Sequence, residues 1–271
     1  MHAITSSNRK FGIAGAAILL VAAGAYGLGR IYPPQGPSSG AIAIAQGYVE
    51  NLAGEEIPDR GRYVLVDAAS ARLFMIENGR VRDTMRVIVG KPAHETPALR
   101  SELNYATLNP YWNVTLDLAQ TLIAPRVLKD GNVYLTDRGY EVVSAFGNTG
   151  KLISPDSVDW AAVAAGKAKV HVRQRPGAAN SMGMMKFSLA DANGIYLHDT
   201  PKKELFALAQ RNLSNGCVRL EDAPRLARWL LGEDAPLGTA APEQHVPLPR
   251  AVPIAIAYLD ASAQMRVAGL Q

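Results

Sequence analysis

Short apolar runs punctuated by polar turns dominate the chain from Arg62 onward. Arg62-Tyr63-Val64-Leu65-Val66-Asp67 and Arg72-Leu73-Phe74-Met75-Ile76 have the length and the β-branched and aromatic content of strands. Glu77-Asn78-Gly79-Arg80 follows as a hairpin turn, because Asn-Gly accepts the positive φ angles such turns require. Arg82 to Val89 is then a third strand ending at Gly90, so the pattern predicts an antiparallel meander and a β-rich core. From Pro92 to about Lys169 the pattern is irregular and holds one helix around 117–123, which reads as an inserted subdomain. Strand character returns at Val170–Gln174 and at Gly194–His198. Thr200-Pro201 predicts a helix to about Ala209, with Thr as cap and Pro in first position. Asp222 caps a second helix in which Leu226, Trp229 and Leu230 share a face and Gly232 stops the turn. Residues 236–250 read as Pro-rich loop, and Val252–Leu259 with Gln264–Val267 as a terminal strand pair.

The N-terminus breaks this pattern. Phe11 to Gly29 is uncharged for nineteen residues, close to the roughly 20 needed to cross a bilayer. Residues 1–10 carry Arg9 and Lys10, which favour a cytoplasmic N-terminus and an exported chain. Two readings fit: an uncleaved signal anchor over 11–29, in the inner membrane, or a signal peptide cleaved at an Ala-x-Ala site to leave a periplasmic protein. Residues 30–61, rich in Pro, Gly and Ser at the start, read as a linker.

Charge changes the picture less than it first promises. Of the net +4, Arg9, Lys10 and Arg30 supply three with no acid in residues 1–30, so the remainder carries only one. A nucleic-acid partner loses its support. At 48% hydrophobic and 19% charged, the 271 residues can bury a sizeable core. The histidines outside the motif below (His2, His94, His171, His245) lack paired ligand spacing, so neither a metal nor a cofactor is expected.

The chemistry converges on the single cysteine. Cys217 has no partner for an intramolecular disulfide, which leaves a free thiol. It lies in Ser214-Asn215-Gly216-Cys217-Val218-Arg219, with fifteen residues between that run and His198. A thiol is a nucleophile as its thiolate, and a histidine raises that fraction and returns the proton to a leaving amine. Gly216 suits a turn whose amides face an oxyanion, and Arg219 suits an anionic group. The bland alternatives are a buried small hydrophobe at 217 and a structural histidine at 198.

His198-Asp199-Thr200 with Ser214-Asn215-Gly216-Cys217-Val218-Arg219 resembles the signature of the L,D-transpeptidases, the YkuD domain family. Val89-Gly90-Lys91-Pro92 with Thr96-Pro97, Asn109-Pro110-Tyr111-Trp112-Asn113-Val114, Val158-Asp159-Trp160, Arg173-Gln174-Arg175-Pro176-Gly177 and Asn180-Ser181-Met182-Gly183 resemble its YcbB-like branch. The resemblance covers residues 62–260. It implies a mainly β catalytic fold with short helices and a capping subdomain inserted at about 98–168, with 261–271 as a tail. It also implies acyl transfer on peptidoglycan. A donor tetrapeptide loses D-Ala after its meso-diamino acid, a thioester forms on the cysteine, and an acceptor amine completes a 3→3 cross-link. Carried over, Cys217 is the nucleophile and His198 the base. The Ser214 backbone orients the imidazole, and the Gly216 and Cys217 amides hold the oxyanion. Arg219, Asn215, Asp199, Tyr196, Arg175, Asn180 and Trp112 are candidate substrate contacts. Trp112 is either a lid or an anchoring core residue, and Arg175 and Asn180 either touch substrate or serve only their own turn. Many members carry Ser-His-Gly-Cys where this chain has Asn215, which leaves His198 as the motif's only base. The expected partners are stem peptides and the membrane, with the chain a monomer. A hydrolase on the same scaffold, an L,D-carboxypeptidase or amidase, and a non-catalytic wall-binding scaffold are the rival readings.

Overall fold

The structure is a computed structural model and describes residues 60–147, 149–190 and 194–270. The apolar segment 11–29 and the linker as far as residue 59 lie outside the described residues. No helix among the described residues is long and apolar enough to cross a membrane.

The meander forms as its sequence dictates. β1 (Arg62–Asp67), β2 (Arg72–Glu77) and β3 (Arg80–Gly90) pair antiparallel in turn. Asn78 and Gly79 sit at φ 53° and 74°, the conformation that the Asn-Gly turn predicts. The next strand is β4 (Leu99–Leu108), followed by β5 (Trp112–Asn113), β6 (Tyr140–Val143), β7 (Leu152–Ile153), β8 (His171–Gln174), β9 (Met185–Leu189) and β10 (Tyr196–His198). β11 (Asn212–Ser214), β12 (Val218–Leu220) and β13 (Gln244–Ala257) complete the set.

Nine strands make the main sheet, in the order β11-β3-β12-β10-β9-β4-β13-β1-β2, and β2 pairs back to β3. That pairing closes a ring in which most strands have a neighbour on each side, so few edges remain open. Val64, Val66, Leu73, Met75, Val87, Leu103, Phe187, Leu197, Val218, Leu220, Ile254 and Ile256 fill its core. The helix Ala223–Leu231 adds Leu226 and Leu230 to that core; Asp222 Oδ1 caps it by accepting from Arg225 N at 3.0 Å, and Gly232 ends it at φ 104°.

The insert differs from the sequence expectation at both ends. Residues 99–108, assigned to the insert, are a ten-residue strand of the main sheet that pairs with β13 on one side and β9 on the other. A register shift between Leu103 and Ala106 breaks the period-two pattern that would have revealed it. At the far end β8 lies between β5 and β6 in a separate four-stranded sheet, not in the core. The insert therefore runs from Asn109 to Met184, and these two ends bond to each other, Asn109 N donating to Met184 O at 2.8 Å. It has its own core of Val114, Ile123, Val127, Leu135, Val142, Trp160, Val163 and Val172. The predicted helix at 117–123 is there as a short helix, Leu116–Leu118, a π-helical turn, Ala119–Ile123, and a further helix, Ala124–Asp130.

Three local expectations change. Residues 203–207 form only a 3₁₀ turn, because Thr200 Oγ1 accepts from Lys202 N and closes a local turn instead of capping an α-helix. β13 begins at Gln244, inside the expected Pro-rich loop; its prolines are accommodated by a register shift between Pro247 and Val252. Gln264–Val267 is helical, within Ala261–Ala268, and Asp260 Oδ1 caps that helix through Ala263 N at 2.7 Å. This segment is no loose tail: Ala263 and Val267 pack on Tyr63, Leu65 and Ile76. β1 is buried on both faces for that reason, which explains its unbroken apolar run.

Candidate active site

β10 and β12 lie side by side and parallel, with Leu197 opposite Val218 and His198 opposite Arg219. Cys217, the residue before β12, therefore meets the strand that carries His198. Both side chains line one cavity of about 670 Å³ between the insert and the barrel. The barrel contributes Gly194, Ile195, Tyr196, Lys202, Ser214, Asn215 and Arg219 to its wall, and the insert contributes Trp112, Asp117, Leu118, Leu122, Arg138 and Tyr140.

The turn that presents Cys217 is braced from two sides. Ser214 Oγ donates to Cys217 O at 2.6 Å and accepts from Gly216 N at 3.1 Å. Thr96, fully buried, accepts from Gly90 N and donates to Gly216 O, each at 2.8 Å, while Lys91 N donates to Ser214 O. Gly216 stands at φ 113°, a region that disfavours any side chain. The Gly90-Lys91-Pro92 and Thr96-Pro97 segment is thus the scaffold of the nucleophile turn.

Two roles carried over from the resemblance change here. The imidazole is held by Asp199, whose carbonyl lies 2.5 Å from Nδ1, while the Ser214 carbonyl is taken by Lys91. A carbonyl only accepts, so Nδ1 carries the proton and Nε2 is left as the basic nitrogen. The Gly216 amide is committed to Ser214 Oγ, so of the expected oxyanion pair only the Cys217 amide is uncommitted among the described residues.

Burial sets the protonation states. His198 is 5% exposed, and burial first, then the Arg219 charge, push its pKa down to about 4. Burial raises the Cys217 thiol, opposed by the Tyr196 backbone N–H and by Arg219. Its Sγ lies 3.5 Å from Gly194 O. The resting pair is a neutral thiol and a neutral imidazole, so a proton must leave sulfur as the sulfur attacks.

Three candidate contacts do not reach the cavity. Asn180 is 1% exposed; its Nδ2 donates to Pro110 O and Arg175 O, and its Oδ1 accepts from Met182 N. It serves its own turn, as one of the two sequence readings held. Arg175 is exposed beside Glu141, and Asp199 turns its carboxylate inward to Met184 N and Lys203 Nζ. Trp112 packs on the insert core and also lines the cavity. Tyr196 and Asn215 also line it.

The sequence did not single out Lys186. It sits opposite His198 in the register of β9 and β10, donates to Glu243 Oε1 at 2.8 Å, and lies 5.6 Å from the Tyr196 ring centroid. Its signal in the sequence is a lone charge among Met185, Phe187 and Leu189. Among the described residues no cluster of three His, Cys, Asp or Glu is positioned to hold a metal ion.

Residues 61–249 match the model of the YkuD family, the L,D-transpeptidase catalytic domain. The chain is 36% identical over 177 residues, 65% of its length, to a candidate L,D-transpeptidase of Haemophilus influenzae, and spans 35% of that relative's length. Among solved structures it is similar to L,D-transpeptidase 3 from Mycobacterium tuberculosis, at 13% identity and a TM-score of 0.36, covering 72% of this chain and 60% of the other. It is also similar to the catalytic domain of an Enterococcus faecium L,D-transpeptidase acylated by ertapenem, at 13% identity and a TM-score of 0.35, covering 74% and 99%.

Proposed function

The chain belongs to the YkuD family of L,D-transpeptidase catalytic domains, and from that premise we propose that it joins peptidoglycan stem peptides by 3→3 cross-links through a thioester on Cys217. The observation that carries the reading is the β10–β12 register, which brings His198 on β10 and Cys217, just ahead of β12, to the wall of one cavity. In the first half-reaction the Cys217 sulfur attacks the carbonyl that links the diamino acid to D-Ala. His198 Nε2 takes the thiol proton, the C–N bond breaks, and the D-Ala amine leaves with that proton. In the second half-reaction an acceptor amine attacks the thioester, the C–S bond breaks, and the thiol recovers a proton by way of the imidazole. The Cys217 amide is the uncommitted donor for the oxyanion. The apolar run Phe11–Gly29 supports a place at the periplasmic face of the inner membrane.

Incubation of disaccharide-tetrapeptides with residues 41–271 is expected to yield 3→3 dimers by mass spectrometry, with Cys217→Ala inactive. Tripeptides alone would make water the acceptor, and the carboxypeptidase reading would replace this one. A carbapenem, whose β-lactam carbonyl mimics the acyl donor, is expected to add its mass to Cys217. A folded protein that takes up no adduct would rule out the acyl-enzyme.

A further inference from the structure

The cavity beside Cys217 is lined by three cations, Arg138, Lys202 and Arg219, and by a single acid, Asp117. None of the three cations has a carboxylate within salt-bridge distance among the described residues. Exposed cations without a carboxylate are ordinary on a protein surface, but buried ones here are paired, as Lys186 is with Glu243 and Arg173 with Glu141. Arg219 is the telling case. It is half-buried, and burial draws its pKa down with no carboxylate to oppose it. A guanidinium withdrawn from water without a counter-charge is costly, and the cost is recovered when a ligand supplies the anion. Arg138 is held in place without a carboxylate, stacked 4.4 Å over the Tyr134 ring, so its donor fork is free for a ligand.

We propose that these cations read free carboxylates on the donor stem, and that the protein prefers a stem whose diamino acid bears a free side-chain carboxylate over one bearing the carboxamide. The inference rests on the transpeptidase reading above. A stem tetrapeptide offers two anions near the scissile bond, the terminal D-Ala carboxylate and the carboxylate at the far end of the diamino side chain. Arg219, two residues beyond Cys217 on β12, suits the first. Arg138 from the insert and Lys202 from the barrel suit the second, and they reach the cavity from opposite sides of the insert–barrel junction. Amidation replaces a charge by a neutral group that cannot accept a bidentate guanidinium, which leaves a cation unpaired in the complex.

The test compares two disaccharide-tetrapeptide donors, identical except for a carboxylate or carboxamide at that position. The wild-type protein is expected to favour the free acid by about tenfold or more in kcat/KM, the size of one lost charge-assisted hydrogen bond. Arg138→Gln combined with Lys202→Gln is expected to bring the ratio within about threefold. Titration calorimetry on Cys217→Ala, which separates recognition from turnover, is expected to show the same preference in binding. Equal use of both donors by the wild type, or an unchanged ratio in the double variant, overturns the inference and leaves the transpeptidase reading standing. If neither donor is consumed or bound, both fall together.

Discussion

His198 shows how one buried side chain couples fold and chemistry. Its pKa is lowered from the usual 6.5 to about 4, so the folded state holds it neutral where the unfolded chain protonates it. The unfolded state then binds more protons between those values, and stability rises with pH across that window. The contribution is complete above about 6.5 and lost as pH falls toward 4, on the order of 3 kcal/mol in all. Denaturant unfolding of the wild type and of His198→Asn should show it as a slope present in the first and reduced in the second. Acylation of Cys217 should likewise keep its base down to about pH 4 and fail below it; an acid limb near 6.5 would mean an exposed imidazole. Asn180 is the residue-scale counterexample. Its motif resembles a substrate contact, yet its amide knits Pro110, Arg175 and Met182 together in the interior. Asn180→Ala should cost about 2–4 kcal/mol of stability by leaving buried carbonyls and an amide unpartnered, as measured by chemical denaturation. The sequence identified which polar residues matter near the site. It did not identify which way they face, because that depends on what packs above them.

At the scale of elements, the base of the insert is fastened to the barrel beside the catalytic strand. Glu243, at φ 54° just ahead of β13's first paired turn, accepts from Lys186 Nζ and from Tyr111 N. One carboxylate thus ties β9, β13 and the start of the insert. Glu243→Gln leaves Lys186 buried without its counter-charge. The expected loss is on the order of 2 kcal/mol, below the roughly 3–5 of a fully buried pair because Glu243 is about a third exposed. The uncompensated ammonium opposite His198 should also shift the acid limb of Cys217 acylation downward, an effect that loosening of the insert alone does not produce. An unmoved limb would leave the pair a fastening only. Elements with local signals were legible: the Asn78-Gly79 hairpin and the helix between Asp222 and Gly232 carry their own start and stop residues. β4 and the first half of β13, residues 244–251, carry no strand signal because bulges shift their phase and prolines interrupt the second, and partners on both sides hold them as strands regardless. Ala261–Ala268 has a β-type run in its sequence, yet Asp260 caps it and the chain turns helical.

The described residues form a closed ring of strands carrying an inserted lobe with its own core, and the cavity lies where the two meet. The helix Ala261–Ala268 covers one face of β1 in that ring. Val267→Asp would drive a charge against Tyr63 and Leu65 and should cost more than about 3 kcal/mol, read as a lowered denaturation midpoint. By itself the sequence determined the β-rich class, the existence of an insert, and the Cys217–His198 pair with its flanking motif, since all of these are written in local periodicity, turn chemistry and short contiguous runs. Only the tertiary structure decided the insert's limits at Asn109 and Met184, the carbonyl that holds His198, the brace at Thr96, and the grouping of three unpaired cations around the thiol. Those features arise where segments far apart in the chain share buried space, and the balance of desolvation, hydrogen bonding and charge there is set by neighbours that no local pattern names.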